Sequence, residues 1–218
     1  MKITNRFNLP PEFVAEAVAK PGVNFHAKTV RVTTLIRPPQ ATLLELEHWN
    51  EIERDVSEFV PAAMGTGFHL LMERASTNEL AHRELVLAYP FNGWTITGTV
   101  DKIANGVLTD WKTCKKYKIE KQDFSDWEEQ LNLYAHLARK NDIKVDAIQV
   151  WAFLKDALAS EQPLIKAPLD LWAPEKVHEF IEQRIADLET GRPCTDKERW
   201  ARGGNYAVMV KGKKRAVK

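Results

Sequence analysis

At 218 residues, with 44% hydrophobic and 28% charged side chains, the chain has the make-up of a globular protein that buries its own core, far from the disordered regime. Its 31 basic and 30 acidic residues leave a net charge of +1, which neither demands nor forbids a polyanionic partner, so the distribution of charge matters more than its sum. Two cysteines without paired spacing, Cys114 and Cys194, suggest neither a disulfide framework nor a zinc site.

A single domain over residues 1–218 is expected, soluble and cytoplasmic: no apolar h-region opens the chain and no run reaches the length of a membrane span. In chain order, the first predicted element is a short helix within Asn5 to Ala19, started by Pro10-Pro11 and stopped by Pro21-Gly22. Thr29 to Leu35 alternates β-branched and polar residues as a strand does. The run from Ala41 to Val60, behind Pro38-Pro39, has helical periodicity. Between Pro61 and Ala75, the apolar Met64, Phe68, Leu71, Met72 and Ala75 recur at helical spacing, while His69 and Glu73, one turn apart, share a different face.

Arg83 to Tyr89 reads as the first core strand, with Glu84 near its start, and residues 90–93 turn into a second strand. Thr95 to Ile103 is rich in β-branched residues, Asn105-Gly106 is the strongest short hairpin signal, and Val107 to Lys112 resumes a strand. Asp101 stands four residues before Asn105 and Asp110 four after Gly106. A two-residue turn therefore sets them nearly opposite, and a bulge would shift this by one. Asp110 and Lys112 share a strand face, with Trp111 turned away. Facing carboxylates repel unless something compensates. A divalent cation does so, since hard cations are held by one or two carboxylates, water and a substrate phosphate; Lys112 would then hold or polarise the attacking water.

After Lys112 comes a charged loop, Cys114 to Phe124, in a basic cluster of Lys112, Lys115, Lys116, Lys118 and Lys121 suited to phosphates. Ser125 with an acid three residues on is a capping box that starts a helix to about Arg139. On it Gln130 and Tyr134 face one way, and Leu131, Tyr134, Ala135 and Ala138 supply core contacts. Val145 to Leu154 is an apolar final strand, and a helix from Pro174 to Leu188 stops at Gly191-Arg192-Pro193. The order helix, three strands, helix, strand gives an α/β core with a mixed sheet. A basic stretch runs from Lys211 to Lys218.

Four pieces stand in one order: Gly65-Thr66-Gly67-Phe68-His69 followed by Glu73, Gly98-Thr99-Val100-Asp101, Asp110-Trp111-Lys112, and Gln130 with Tyr134. Together they resemble the active-site core of the PD-(D/E)XK nuclease superfamily, particularly its RecB-type exonuclease branch. The resemblance spans about Met64 to Val150 and, more weakly and to phage-encoded members, both termini. It implies a restriction-endonuclease-like core of order α-β-β-β-α-β within residues 57–155, carrying N- and C-terminal extensions. It further implies Mg²⁺ or Mn²⁺ held by His69, Asp101, Asp110 and the main-chain carbonyl of Trp111. Lys112 would position water, Gln130 and Tyr134 would orient the site or the DNA, and Glu73 and Glu84 would support the site from its edge. Relatives with an iron–sulfur cluster use four cysteines, and two cannot supply one. The expected activity is exonucleolytic hydrolysis of DNA ends in phage or bacterial recombination or repair, beside a single-strand annealing or recombination protein. Two alternatives stand: a structure- or sequence-selective endonuclease on the same core, and a non-catalytic DNA-binding recombination partner. The segment around Arg199, Trp200 and Arg202 resembles a C-terminal signature of the phage-encoded group, with charge and stacking suited to a nucleic-acid strand.

Overall fold

The computed structural model describes residues 1–16, 23–75, 81–199 and 201. Among them the elements run β1 (Lys2–Thr4), α1 (Pro11–Glu16), β2 (Val23–Asn24), β3 (Thr29–Arg31), α2 (Val32–Leu35), α3 (Pro39–Glu47), β4 (Glu53–Asp55), α4 (Val60–Ala75), β5 (His82–Phe91), β6 (Trp94–Ala104), β7 (Val107–Cys114), α5 (Lys116–Lys121), α6 (Ser125–Lys140), β8 (Ala147–Leu154), β9 (Leu164–Ala167) and α7 (Pro174–Thr190). Trp200, Arg202, the basic Lys211 to Lys218 stretch and the expected Pro21-Gly22 stop fall outside the described residues.

Two Asn-Gly turns build the centre. Asn92 and Gly93 take φ of 46° and 80°, and Asn105 and Gly106 take 50° and 74°, the two positive values that a two-residue type I′ hairpin requires. They join β5 to β6 and β6 to β7 as antiparallel pairs. β8 then adds parallel to β7, and β9 antiparallel to β8. The result is a mixed sheet flanked by helices.

The strand β6 organises that sheet. β5 lies along one of its edges from Phe91↔Trp94 to His82↔Ile103, so β3 and β7 must share the other. β3 pairs parallel with Thr95, Ile96 and Thr97, and β7 pairs with Lys102, Ile103 and Ala104. Between these contacts, residues 98–101 are unpaired on that edge, and the sheet is open there. α6 closes one face: Leu131, Leu133, Leu137 and Ala138 are fully buried in one core with Ile96, Val100, Leu108, Val150 and Ala152. On β8, Phe153 points opposite to Ala152, and there Phe68 of α4 stacks on it with ring centroids 5.1 Å apart.

Several expected elements take other shapes. Only Thr29–Arg31 is strand; Val32–Leu35 is helix, so packing overrides β-branched preference just where the chain leaves β6. The run from Ala41 to Val60 does not form one helix: α3 ends at Glu47, and β4 pairs parallel with β1. The cause is Asp55, whose buried carboxylate accepts from the Arg6 N–H at 2.9 Å and the Thr4 hydroxyl at 3.1 Å. Those donors, with Ser57, hold its pKa well below the usual carboxylate range. Asp55 and Glu58 form the capping box here, each accepting from the other's turn, Ser57 N–H at 3.1 Å and Asp55 N–H at 3.0 Å. The expected box at Ser125 is absent; Asp123 accepts from the Ser125 hydroxyl at 2.8 Å instead. The predicted loop after Cys114 contains α5, closed by Gln122 at φ 52°. α7 stops at Gly191, left-handed at φ 66°, as its Gly-Arg-Pro signal indicates.

Candidate active site

The hairpin register runs Ala104↔Val107, Ile103↔Leu108 and Lys102↔Thr109. The next level holds Asp101 and Asp110, and there the ladder stops. In its place the Trp111 N–H donates to Asp101 Oδ2 at 2.9 Å, so a side chain fastens the two strands as they part. N–H and C=O of one strand residue point to the same edge, so the Trp111 carbonyl also faces this opening.

The neighbouring strand is distorted at the same level. Glu84, flanked by Arg83↔Lys102 and Leu85↔Val100, takes φ 42°, an uncommon state for a residue other than Gly or Asn that costs about 1–3 kcal/mol. In β6 the burial phase slips: Val100 and Ile103 are both buried, although three residues apart on a regular strand they would face opposite ways. The strain sits beside the carboxylates.

α4 brings His69 to this break, with Nδ1 3.1 Å from Asp101 Oδ2. One donor atom each from His69, Glu84 and Asp101 lie within 4.8 Å of one another. Glu73, one turn along α4, lines the same small cavity with Met72, Arg83, Lys102 and Trp111. The hydrogen bond to Asp101 raises the His69 pKa against the effect of burial. Burial and the charges of Asp101 and Glu73 raise that of Glu84.

Asp110 is buried, 2% exposed. Lys112 Nζ lies 2.7 Å from its Oδ2, but without hydrogen-bonding geometry, so that oxygen lacks a directed donor. Burial raises the Asp110 pKa more than the Lys112 charge lowers it. From α6, the Gln130 amide donates to the Tyr134 hydroxyl at 3.1 Å. Burial, reinforced by the charges of Asp110 and Asp101, pushes the Tyr134 pKa up to about 12. The Tyr134 ring lies flush against Gly98: a Cβ there would stand 2.5 Å from Tyr134 Cε1. Thus the glycine that opens the G-x-x-D piece and the tyrosine of the Q-x-x-x-Y piece are steric complements.

One imidazole nitrogen and two carboxylates meet here, with the Asp110 carboxylate and the Trp111 carbonyl on the adjoining strand. Oxygen-rich sites with one nitrogen suit Mg²⁺ or Mn²⁺. The residues fit a divalent cation.

A family model for the PD-(D/E)XK nuclease superfamily matches residues 35–208. The chain belongs to that superfamily. Among solved structures, this PD-(D/E)XK chain is similar to SSO0001, with a TM-score of 0.59 and 18% identity over 88% of this chain and 89% of the other. It also matches an alkaline exonuclease, LHK-Exo, from Laribacter hongkongensis, at 0.49 and 10% over 88% and 95% of the two chains. A phage-related exonuclease from Haemophilus somnus 129PT matches at 0.40 and 12% over 75% and 92%. At these identities the likeness concerns the fold. No curated protein sequence matches significantly.

Within the PD-(D/E)XK fold, then, His69, Asp101, Asp110, Trp111 and Lys112 converge at one break in the sheet, and Gln130 and Tyr134 border it from α6. Glu73 stays at the rim. Glu84, although exposed, stands among the donor atoms themselves rather than at the edge behind them. Its signal was in the sequence: Glu84 is eight residues before Asn92 and Asp101 eight after Gly93, so the first Asn-Gly turn sets them opposite by the count applied to the second.

Proposed function

We propose that this chain is a divalent-metal-dependent deoxyribonuclease that works as an exonuclease on DNA ends in recombination or repair. The observation that carries the reading is the meeting of His69, Glu84 and Asp101 with the Asp110–Lys112 ion pair where β6 and β7 part. His69, Asp101, Asp110 and the Trp111 carbonyl would hold Mg²⁺ or Mn²⁺, with Glu84 alongside. Such an ion supplies Lewis acidity that neutralises phosphate charge and acidifies water. Lys112, fixed by Asp110, orients the attacking water in line with the scissile phosphate. Tyr134 stays neutral at working pH and, with Gln130, offers hydrogen bonds to the DNA or to the carboxylates. The histidine on α4 and the Gln130–Tyr134 pair favour the exonuclease branch by resemblance.

Among the described residues no helix is long and apolar enough to cross a membrane. We place the protein in the bacterial cytoplasm, acting on DNA and handing its product to a single-strand annealing or recombination protein. The test is purified protein with Mg²⁺, Mn²⁺ or EDTA on 5′-labelled and 3′-labelled linear DNA and on circular DNA. Progressive loss from one labelled end, with circles intact and EDTA inhibiting, is the expected result. Cut circles would mean an endonuclease, and binding without cleavage a DNA-binding partner.

A further inference from the structure

The short helix α5 follows directly on the strand that carries Asp110 and Lys112. Its three lysines and Lys115, just before it, divide into two kinds. Lys116 reaches Glu161 at 2.8 Å, and its N–H donates to Asp156 at 2.9 Å. Lys118 reaches Asp126 at 2.7 Å and lies over the Trp127 ring. These two, with Ile119 packed against the core, pin the helix down. Lys121 and, just before the helix, Lys115 are exposed and make no ion pair among the described residues.

Between the free cations stands Tyr117, 65% exposed. Ile119 faces the core two positions on, which by helical periodicity turns Tyr117 outward. Among the described residues its one ring contact is with Lys121, whose Nζ lies 5.3 Å from the ring centroid. A further exposed cation adjoins this group. Cys114 and Leu154 are the last pair of the parallel β7–β8 ladder, and the Lys155 N–H donates to the Cys114 carbonyl at 2.9 Å, so Lys115 and Lys155 leave adjacent strand ends together. Tyr117 is five residues from Lys112, hence within about 17 Å of it even at full extension.

We propose that Tyr117 is a stacking platform for an unpaired base of the DNA strand, with Lys115, Lys121 and Lys155 holding the flanking phosphates as the strand passes the catalytic centre. The inference rests on the nuclease reading and adds the strand's path. An exposed aromatic ring framed by unpaired cations is what sequence-tolerant single-strand binding requires, because every base offers a π-face and every link a charge. A protein partner would instead call for a broad apolar surface, and α5 offers one ring.

The test is fluorescence anisotropy with a labelled single-stranded oligonucleotide and a blunt duplex in EDTA, where cleavage plays no part, across a salt series. Tyr117→Ala should weaken single-strand binding about five-fold or more, with the salt slope and melting temperature unchanged. Tyr117→Phe, which keeps the ring, should stay within about two-fold of wild type. Lys115→Gln and Lys121→Gln should each lower the salt slope by about 0.7. If wild type binds and Tyr117→Ala binds equally well, or if Tyr117→Phe fails as badly as Tyr117→Ala, the platform is wrong while the nuclease reading stands. If wild type binds no DNA at any salt, the DNA-substrate reading fails and the platform with it.

Discussion

The two helices that frame the site could hardly be held more differently. α6, which supplies Gln130 and Tyr134, has ten of its 16 residues buried; α4, which supplies His69, has none of its 16 buried. Leu131, Leu133 and Leu137 of α6 are wholly enclosed, where truncation to Ala costs about 2–5 kcal/mol each. Asn132 adds polar fastening, donating to the Asp170 carbonyl at 2.9 Å and accepting from the Trp172 N–H at 2.7 Å. On α4, Met64 and Leu71 are 56% and 57% exposed, and Phe68 stacks on Phe153. One wall of the site is therefore also core, and its chemistry cannot be altered without touching stability. The other is a lightly docked arm, and its chemistry can be removed alone. An ion shared by His69 and the hairpin would itself fasten the arm, since whatever binds only the assembled state stabilises it.

The sharpest break should come at the hairpin between the walls. Asp110→Asn should lower cleavage by about a thousand-fold or more, roughly 4 kcal/mol of barrier, by removing the charge that would hold the cation and that pairs with Lys112. Its melting temperature should move little, because relieving a buried charge offsets the stranding of Lys112. Cleavage near the wild-type rate would remove Asp110 from the chemistry.

Acid should next single out the buried wall. His136 on α6 is 7% exposed with an unpaired Nε2, and burial, with Lys140 and His178, lowers its pKa to about 4. The folded state thus keeps the ring neutral, while the unfolded chain takes up a proton near pH 6.5. This contribution is complete above about pH 6.5 and is lost as pH falls from there towards 4, by at most roughly 3 kcal/mol. Urea midpoints from pH 7 to pH 4.5 should fall more steeply for wild type than for His136→Phe. Equal slopes would mean that the ring is already hydrated.

Gly98→Ala should destabilise by about 1–3 kcal/mol, the usual range for forcing a methyl group into a filled space, since the new Cβ meets the Tyr134 ring at 2.5 Å. In a Tyr134→Ala background the same change should cost far less, a non-additivity expected of touching residues. Equal costs in both backgrounds would separate the two motifs. Smallest in stability should be His69→Ala, within about 1 kcal/mol of wild type, because α4 buries so little. The same variant should need about ten-fold more metal for half-maximal cleavage. A large loss of stability instead would show α4 to be part of the core.

Short-range turn chemistry made much of the site legible. Asn105-Gly106 fixes the hairpin register within a few residues, so Asp101, Asp110 and Lys112 could be placed by counting, and the same count from Asn92-Gly93 reaches Glu84. Long-range partners were not legible. Periodicity says which residues of α4 share a face, but not what covers them, and Met64 and Leu71 proved exposed. The expected helix from Ala41 to Val60 breaks because Asp55 is claimed by Thr4 and Arg6, some fifty residues away. Nor does alternation foretell its own slip between Val100 and Ile103, which arises where two strands distort together around the carboxylates.

The central claim is that one divalent ion is held jointly by the lightly docked arm and the split hairpin. A crystal structure with Mn²⁺, its position fixed by anomalous scattering, tests this most directly. The account predicts an ion about 2.0–2.3 Å from His69 Nδ1 and from carboxylate oxygens of both Asp101 and Asp110. An ion bound without His69, or no ion between the two aspartates at saturating Mn²⁺, would contradict it.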